Sequence, residues 1–140
     1  RPDINLTTDV IVGFPGETEE DFLECIEYCK KVGFSKIHVF PYSVREGTKA
    51  ATMPNQLANS VKKERSRKLI EIDNELQLAF NKKFIGRVLN VLIEEVFDDY
   101  SVGHTENFLK VVVNKKLKEN NNYDVLINKS DINQVYGDLN

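Results

Sequence analysis

At 140 residues, with 41% apolar and 29% charged side chains, the chain has the makings of one ordinary globular domain or two small ones. A formal net charge of -3 excludes nucleic-acid binding through bulk charge, so any such contact has to come from a local patch. No apolar run is long enough to cross a bilayer and no signal peptide opens the sequence, so a cytoplasmic setting without a membrane partner is expected.

The chain begins at Arg1 and strand-like sequence follows almost at once, as expected of a piece of a longer protein. Val10, Ile11 and Val12 are apolar at every position, the pattern of a parallel strand covered on both faces. Gly13 and Gly16 flank Pro15 and allow a sharp turn that brings main-chain N-H groups near a ligand; a plain strand-to-helix turn uses the same residues. Thr18 is the expected helix N-cap, with Asp21 as its reciprocal partner. Glu19, Glu20 and Asp21 then occupy the first turn, Lys30 and Lys31 the last, and Gly33 the stop. Cys25 and Cys29 lie one turn apart on a face that Phe22, Ile26 and Val32 place in the core. Two thiols lack the further ligands of a metal site, so both read as inert.

A second strand, Lys36 to Phe40, completes a βαβ unit with a right-handed crossover. Ligands of such units sit at the carboxyl ends of the strands, here Gly13 to Glu17 and the segment after Phe40. A long irregular stretch, His38 to Leu57, follows and carries Tyr42, Arg45, Thr48 and Lys49. An aromatic plane, a guanidinium and hydroxyls suit phosphate or base contact, and a solvated crossing between domains reads equally well.

From Ser60 to Phe84 the spacing of Val61, Leu69, Ile72, Leu76, Ala79 and Phe80 predicts a helix with one packed face. Its cluster Lys62, Lys63, Arg65, Arg67 and Lys68 reads as a solvated face. Five strands are then expected, at residues 87–96, 100–105, 108–113, 123–127 and 134–139, with Asn120 to Asn122 as a hairpin tip. They suit a small OB-type barrel, a shape that holds oligonucleotides. From Lys82 onward eight Lys or Arg stand against nine Asp or Glu, which leaves a local surface: His104, Asn107, Phe108 and Lys110, with Lys115, Lys116 and Lys118 beyond. Phe108 reads equally as a core residue and His104 as a polar turn residue.

The stretches TTDVIVGFPGETEEDF (7–22), GFSKIHVFPYSVREGTKAATMP (33–54) and VKKERSRKL (61–69) resemble the carboxyl-terminal half of radical S-adenosylmethionine methylthiotransferases. VGHTENFLKV (102–111) resembles their TRAM domain, and His38 to Tyr42 looks most like the threonylcarbamoyladenosine (MtaB) type. The resemblance implies an α/β plus all-β fold: a carboxyl-terminal piece of the radical (βα) partial barrel with its connecting helix over residues 1–80, then a five-stranded OB-like TRAM barrel over 81–140. It implies a parent enzyme that methylthiolates C2 of threonylcarbamoyladenosine beside the tRNA anticodon, with S-adenosylmethionine and 4Fe-4S clusters as cofactors. The family's CxxxCxxC ligands are not in this sequence, so the chain alone is expected to hold no cluster, to carry no catalytic residue and to be inactive. By position, Gly13, Phe14, Pro15, Gly16 and Glu17 would flank S-adenosylmethionine, with main-chain groups near Phe40 approaching its adenine. Tyr42, Arg45, Thr48, His104, Asn107, Phe108 and Lys110 would contact the tRNA anticodon stem-loop, helped by amino-terminal domains of the parent. A stand-alone RNA-binding module and a methylthiotransferase acting on a ribosomal-protein aspartate are the alternatives. Self-association through the open βαβ sheet is also expected.

Overall fold

The structure, a computed structural model, describes residues 3–140. In chain order it contains β1 (Thr7–Val12), α1 (Glu19–Val32), β2 (Lys36–Pro41), a 3-10 turn (Ala50–Thr52), α2 (Asn59–Lys82), β3 (Val88–Val96), β4 (Ser101–Thr105), β5 (Lys110–Val113), β6 (Asn122–Ser130) and β7 (Val135–Leu139). Two compact units result: Leu6–Leu76, and Gln77–Asn140 together with residues 3–5. This is the fold class that the sequence patterns imply, an α/β piece and a small closed five-stranded barrel.

In the first unit β1 and β2 run parallel, with Thr7 opposite Lys36 and Val12 opposite Pro41. A reciprocal capping box starts α1: Thr18 Oγ1 accepts from the Asp21 N-H, and Asp21 Oδ2 accepts from the Thr18 N-H, each at 3.0 Å. Gly33 stops it in the left-handed region (φ 74°), its N-H donating to the Cys29 carbonyl. Val12, Phe22, Ile26, Cys29, Ile37, Leu69 and Ile72 form the core between sheet and helices. Asp73 of α2, buried, accepts from the Ile37 N-H at 2.7 Å and from Lys36 Nζ at 2.8 Å, which ties helix to strand.

Several expectations are corrected here. The sheet has two strands and α1 and α2 cover only one face, so Ile11 is 57% exposed beside its register partner Phe40, instead of buried on both sides. Val32 is also exposed, because the last turn of α1 runs past the packed face. The basic stretch of α2 is not a solvated face throughout: Lys62 and Arg65 are buried, while Val61 and Ala79 face outward. The reason lies in Gly13, where a Cβ would stand 2.6 Å from Lys62 Cγ; the missing side chain makes room for the lysine stem. α2 ends at Lys82, two residues short of Phe84, which is buried in the barrel core.

The barrel closes in the order β3-β4-β5-β7-β6, antiparallel except for the parallel β5–β7 pair. Alternate residues point inward, among them Val91, Ile93, Val111, Val113, Val125, Ile127 and Val135, and Phe80, Phe84 and Leu109 join them. Asn120 to Asn122 is no hairpin tip, since β5 and β6 are not neighbours. The segment instead crosses to β6, with the Asn120 N-H donating to Ile93 O at 2.8 Å and the Ile93 N-H to Asn121 O at 3.0 Å. Phe108 lies in the β4–β5 turn at φ 63°, not in a strand and not in the core.

Gly103 and Gly137 set how tightly the barrel can be drawn. A Cβ on Gly103 would lie 2.0 Å from the Leu92 carbonyl oxygen, and one on Gly137 2.3 Å from that of Leu126. Gly103→Ala is expected to cost at least about 1–3 kcal/mol of barrel stability, read as a lowered midpoint in urea unfolding. An unchanged midpoint would show that the strands separate freely at this point.

Candidate functional site

The carboxyl edge of β1 and β2 brings together most of the residues assigned to cofactor binding. Register places Gly13 just past Val12 and Tyr42 just past Pro41, and the Tyr42 N-H donates to the Val12 carbonyl at 2.8 Å. Gly13 (φ 76°) and Gly16 (φ 85°) take backbone conformations that side chains disfavour, which lets residues 13–17 fold back on themselves. Phe14 meets Tyr42 edge to face at 5.5 Å between centroids, and the Lys62 ammonium lies 5.1 Å from the Tyr42 ring centre.

Three of the loop's N-H donors have acceptors within the fold. Gly13 N-H donates to Glu17 Oε1 at 3.0 Å, Gly16 N-H to the Asn55 carbonyl at 3.0 Å, and Glu17 N-H to the Phe14 carbonyl at 2.9 Å. At these three residues the turn feeds its donors to the fold, as the plain strand-to-helix turn reading has it. Arg65 holds the arrangement from below, its Nη1 donating to Glu17 Oε1 at 2.7 Å and to the Glu17 carbonyl at 3.0 Å. Tyr42 Oη and Arg65 Nε are both buried with no hydrogen-bond partner among the described residues. What faces outward is apolar: Ile11, Phe14 and Phe40.

Arg45 and Thr48 lie farther along the same connection. Thr48 Oγ1 donates to the Arg45 carbonyl at 2.7 Å and accepts from the Ala51 N-H at 3.3 Å, so the threonine shapes a turn while Arg45 is exposed. Sequence reasoning missed Lys62, Arg65 and Asn55. A signal for the first two was present, because 62, 65, 69, 72 and 76 continue the three- and four-residue stripe of the helix's apolar positions.

A second surface lies on the barrel. Register aligns Asn122, Leu92, His104 and Lys110 in one row across β6, β3, β4 and β5. Beside the row a cleft of about 1070 Å³ is lined by Asn122, Leu92, His104, Asn107 and Phe108, with residues 3–5 contributing. Three of the four barrel residues assigned to RNA binding thus share one cleft, and Lys110 is the register neighbour of His104. Thr105 Oγ1 bonds Asn107 Oδ1 and accepts from the Leu109 N-H, Asn107 Nδ2 donates to the Asp3 carbonyl at 2.8 Å, and His104 Nδ1 meets Glu94 Oε1. Phe108 is 78% exposed.

Cys29 is buried and its thiol is pushed up to about 11, chiefly by loss of solvent, with Cys25 beside it. Among the described residues no group of three or more His, Cys, Asp or Glu is placed to hold a metal ion.

Arg65→Ala is expected to cost about 1–3 kcal/mol, because half-buried Glu17 would keep only the Gly13 N-H as a partner. Amide hydrogen exchange should speed up at Gly13 and Glu17 more than in the barrel. Uniform acceleration in both units would argue against a local role.

No family model matches the chain. Among curated proteins it is 53% identical over 93 residues to a tRNA-2-methylthio-N(6)-dimethylallyladenosine synthase of Fusobacterium nucleatum, a match covering 66% of this chain and 21% of the relative. It is 44% identical over 116 residues to the threonylcarbamoyladenosine tRNA methylthiotransferase MtaB of Bacillus subtilis, covering 79% and 26%. A tRNA-2-methylthio-N(6)-dimethylallyladenosine synthase of Ehrlichia chaffeensis is 43% identical over 117 residues, covering 81% and 26%. The homologues are tRNA methylthiotransferases, and the chain spans about a fifth to a quarter of their length. Both substrate types occur among them, so the MtaB assignment is not favoured over the dimethylallyladenosine type.

Proposed function

We propose that the chain is the substrate-binding and partial cofactor-binding end of a tRNA methylthiotransferase. The observation that carries this reading is the shared edge: the Gly13 to Glu17 loop and the segment after Phe40 meet where parallel-sheet enzymes place their ligands, in a chain whose homologues methylthiolate tRNA.

S-adenosylmethionine, when bound beside an iron-sulfur cluster, supplies the methyl group and the radical chemistry of such enzymes. The residues present fit part of that cofactor. Ile11, Phe14 and Phe40 offer an apolar rim for an adenine ring, and Gly16 has open space where a side chain would stand. The loop contributes shape, because its N-H groups at 13, 16 and 17 already have acceptors. Lys62 and Arg65 keep that shape from beneath. The residues do not fit a 4Fe-4S cluster: Cys25 and Cys29 stand alone on a helix, the second buried. Cluster ligands would have to come from other parts of the enzyme, and the chain alone is inactive in this reading.

The barrel supplies the RNA contact through the Asn122-Leu92-His104-Lys110 row and Phe108. For the substrate we favour threonylcarbamoyladenosine next to the anticodon, on the His38 to Tyr42 sequence. Nucleoside mass spectrometry of tRNA from cells lacking the gene should show loss of the 2-methylthio group from threonylcarbamoyladenosine only. Loss from dimethylallyladenosine instead would place the enzyme with the other substrate type, and loss from neither would overturn the reading.

The two-stranded sheet has unpaired edges and an exposed Ile11-Phe40 pair, a surface that another copy of the chain would cover. Sedimentation of the 140-residue chain is expected to show concentration-dependent association that Phe40→Ser weakens. A monomer at high concentration would count against it.

A further inference from the structure

We infer that the barrel cleft receives a single unstacked nucleobase, recognised by its ring face and its edge, while the phosphate chain passes along the Lys110 side. The inference rests on the reading above that the chain acts on tRNA, and it names the part of the RNA that this surface takes.

The lining decides between base and phosphate. It contains no lysine and no arginine; its ionisable members are Asp3, Glu94, Glu106 and His104. Asp3 is committed to Arg87, its two oxygens accepting at 3.0 and 2.7 Å, and Glu94 is committed to His104. A phosphate entering here would meet carboxylates at short range with no free cation to offset them. A neutral heterocycle meets no such penalty.

The groups left over suit that heterocycle. Phe108 turns 78% of its surface to solvent from a backbone at φ 63°, a conformation that costs a phenylalanine free energy and that nothing inside the barrel requires of its ring. The turn is nevertheless held firmly: Phe108 N-H donates to the Thr105 carbonyl, Thr105 N-H to the Leu109 carbonyl, and Leu109 N-H to Thr105 Oγ1, all at 3.0 Å. An exposed ring on a firmly held backbone is a stacking platform. Across from it on the row, the Asn122 amide offers both a donor and an acceptor, Glu106 on the same turn offers an acceptor, and Leu92 supplies an apolar floor. That mixture matches the edge of a base. Lys110 follows His104 in register but is outside the cleft lining, and Arg87 is taken up by Asp3, which leaves Lys110 as the cation beside the row where the connecting phosphate would run.

The test uses the 140-residue chain and fluorescently labelled ribose-phosphate strands: one abasic throughout, one identical but for a single central base. Anisotropy should show the base-bearing strand binding about tenfold more tightly. Phe108→Ala and Asn122→Ala should remove most of that difference, whereas Lys110→Ala should weaken both strands alike and reduce the dependence on salt concentration. Equal binding of the two strands, or an unchanged preference in Phe108→Ala, overturns the inference while leaving tRNA binding intact. Failure of both strands and of an intact anticodon stem-loop to bind overturns the inference and the RNA-binding reading together. Tight capture of an apolar peptide in place of RNA would assign the cleft to protein recognition and overturn it as well.

Discussion

The Gly13 to Glu17 turn of the α/β unit depends on one largely buried ion pair that serves the main chain. Arg65 reaches from α2 to the Glu17 carboxylate and to the Glu17 carbonyl, and the same carboxylate oxygen accepts the Gly13 N-H. Both ends of the five-residue turn are thereby fastened to one guanidinium, which also lies 5.6 Å from the Phe22 ring centre. Such a pair adds little net stability, since each charge gives up its water. Its effect is to select one path for the chain, by making every other path leave a charge buried alone. The glycines permit the turn; the arginine chooses it.

Gly13 extends the same constraint to the neighbouring lysine. With no side chain at 13, Lys62 packs its methylenes against the backbone and delivers its ammonium to the face of Tyr42. Aromatic, lysine and glycine therefore form a layer under the strand ends, and Ile11, Phe14 and Phe40 form the layer above. The barrel solves a different problem. Its core is mostly Val and Ile, with Phe80, Phe84 and Leu109, around two glycines that let opposing backbones touch, and the hydroxyls buried there, of Ser101 and Thr105, are spent on main-chain groups. Polar and aromatic groups open to solvent lie instead on the outside, in the cross-strand row and at Phe108.

Much of this was legible in the amino-acid order because it is local. Thr18 with Asp21, and Gly33 after Lys30 and Lys31, act through neighbours in sequence and stand where their chemistry says. The alternation in β3 to β7 likewise reports one wet and one dry face. Legibility stops where burial depends on a partner far along the chain. Lys62 and Arg65 read as solvent residues by type, and only the empty space at Gly13 and the carboxylate of Glu17, more than forty positions away, turn them inward. Ile11 fails in the opposite sense: its apolar character suggests a second covering layer that the two-stranded sheet does not have. Phe108 was ambiguous between core and surface, because composition does not reveal that a left-handed turn holds it out.

The bond from the Gly16 N-H to the Asn55 carbonyl joins the turn to the far end of the long connection that follows β2. It is made between main-chain atoms, and the one demand it places on sequence is that residue 55 adopt φ 63°, which asparagine tolerates. The dozen or so positions between this clasp and Tyr42 can therefore drift, lengthen or trade charge without loosening the glycine turn. Divergence in what the rim accepts is thus uncoupled from the upkeep of the scaffold beneath it.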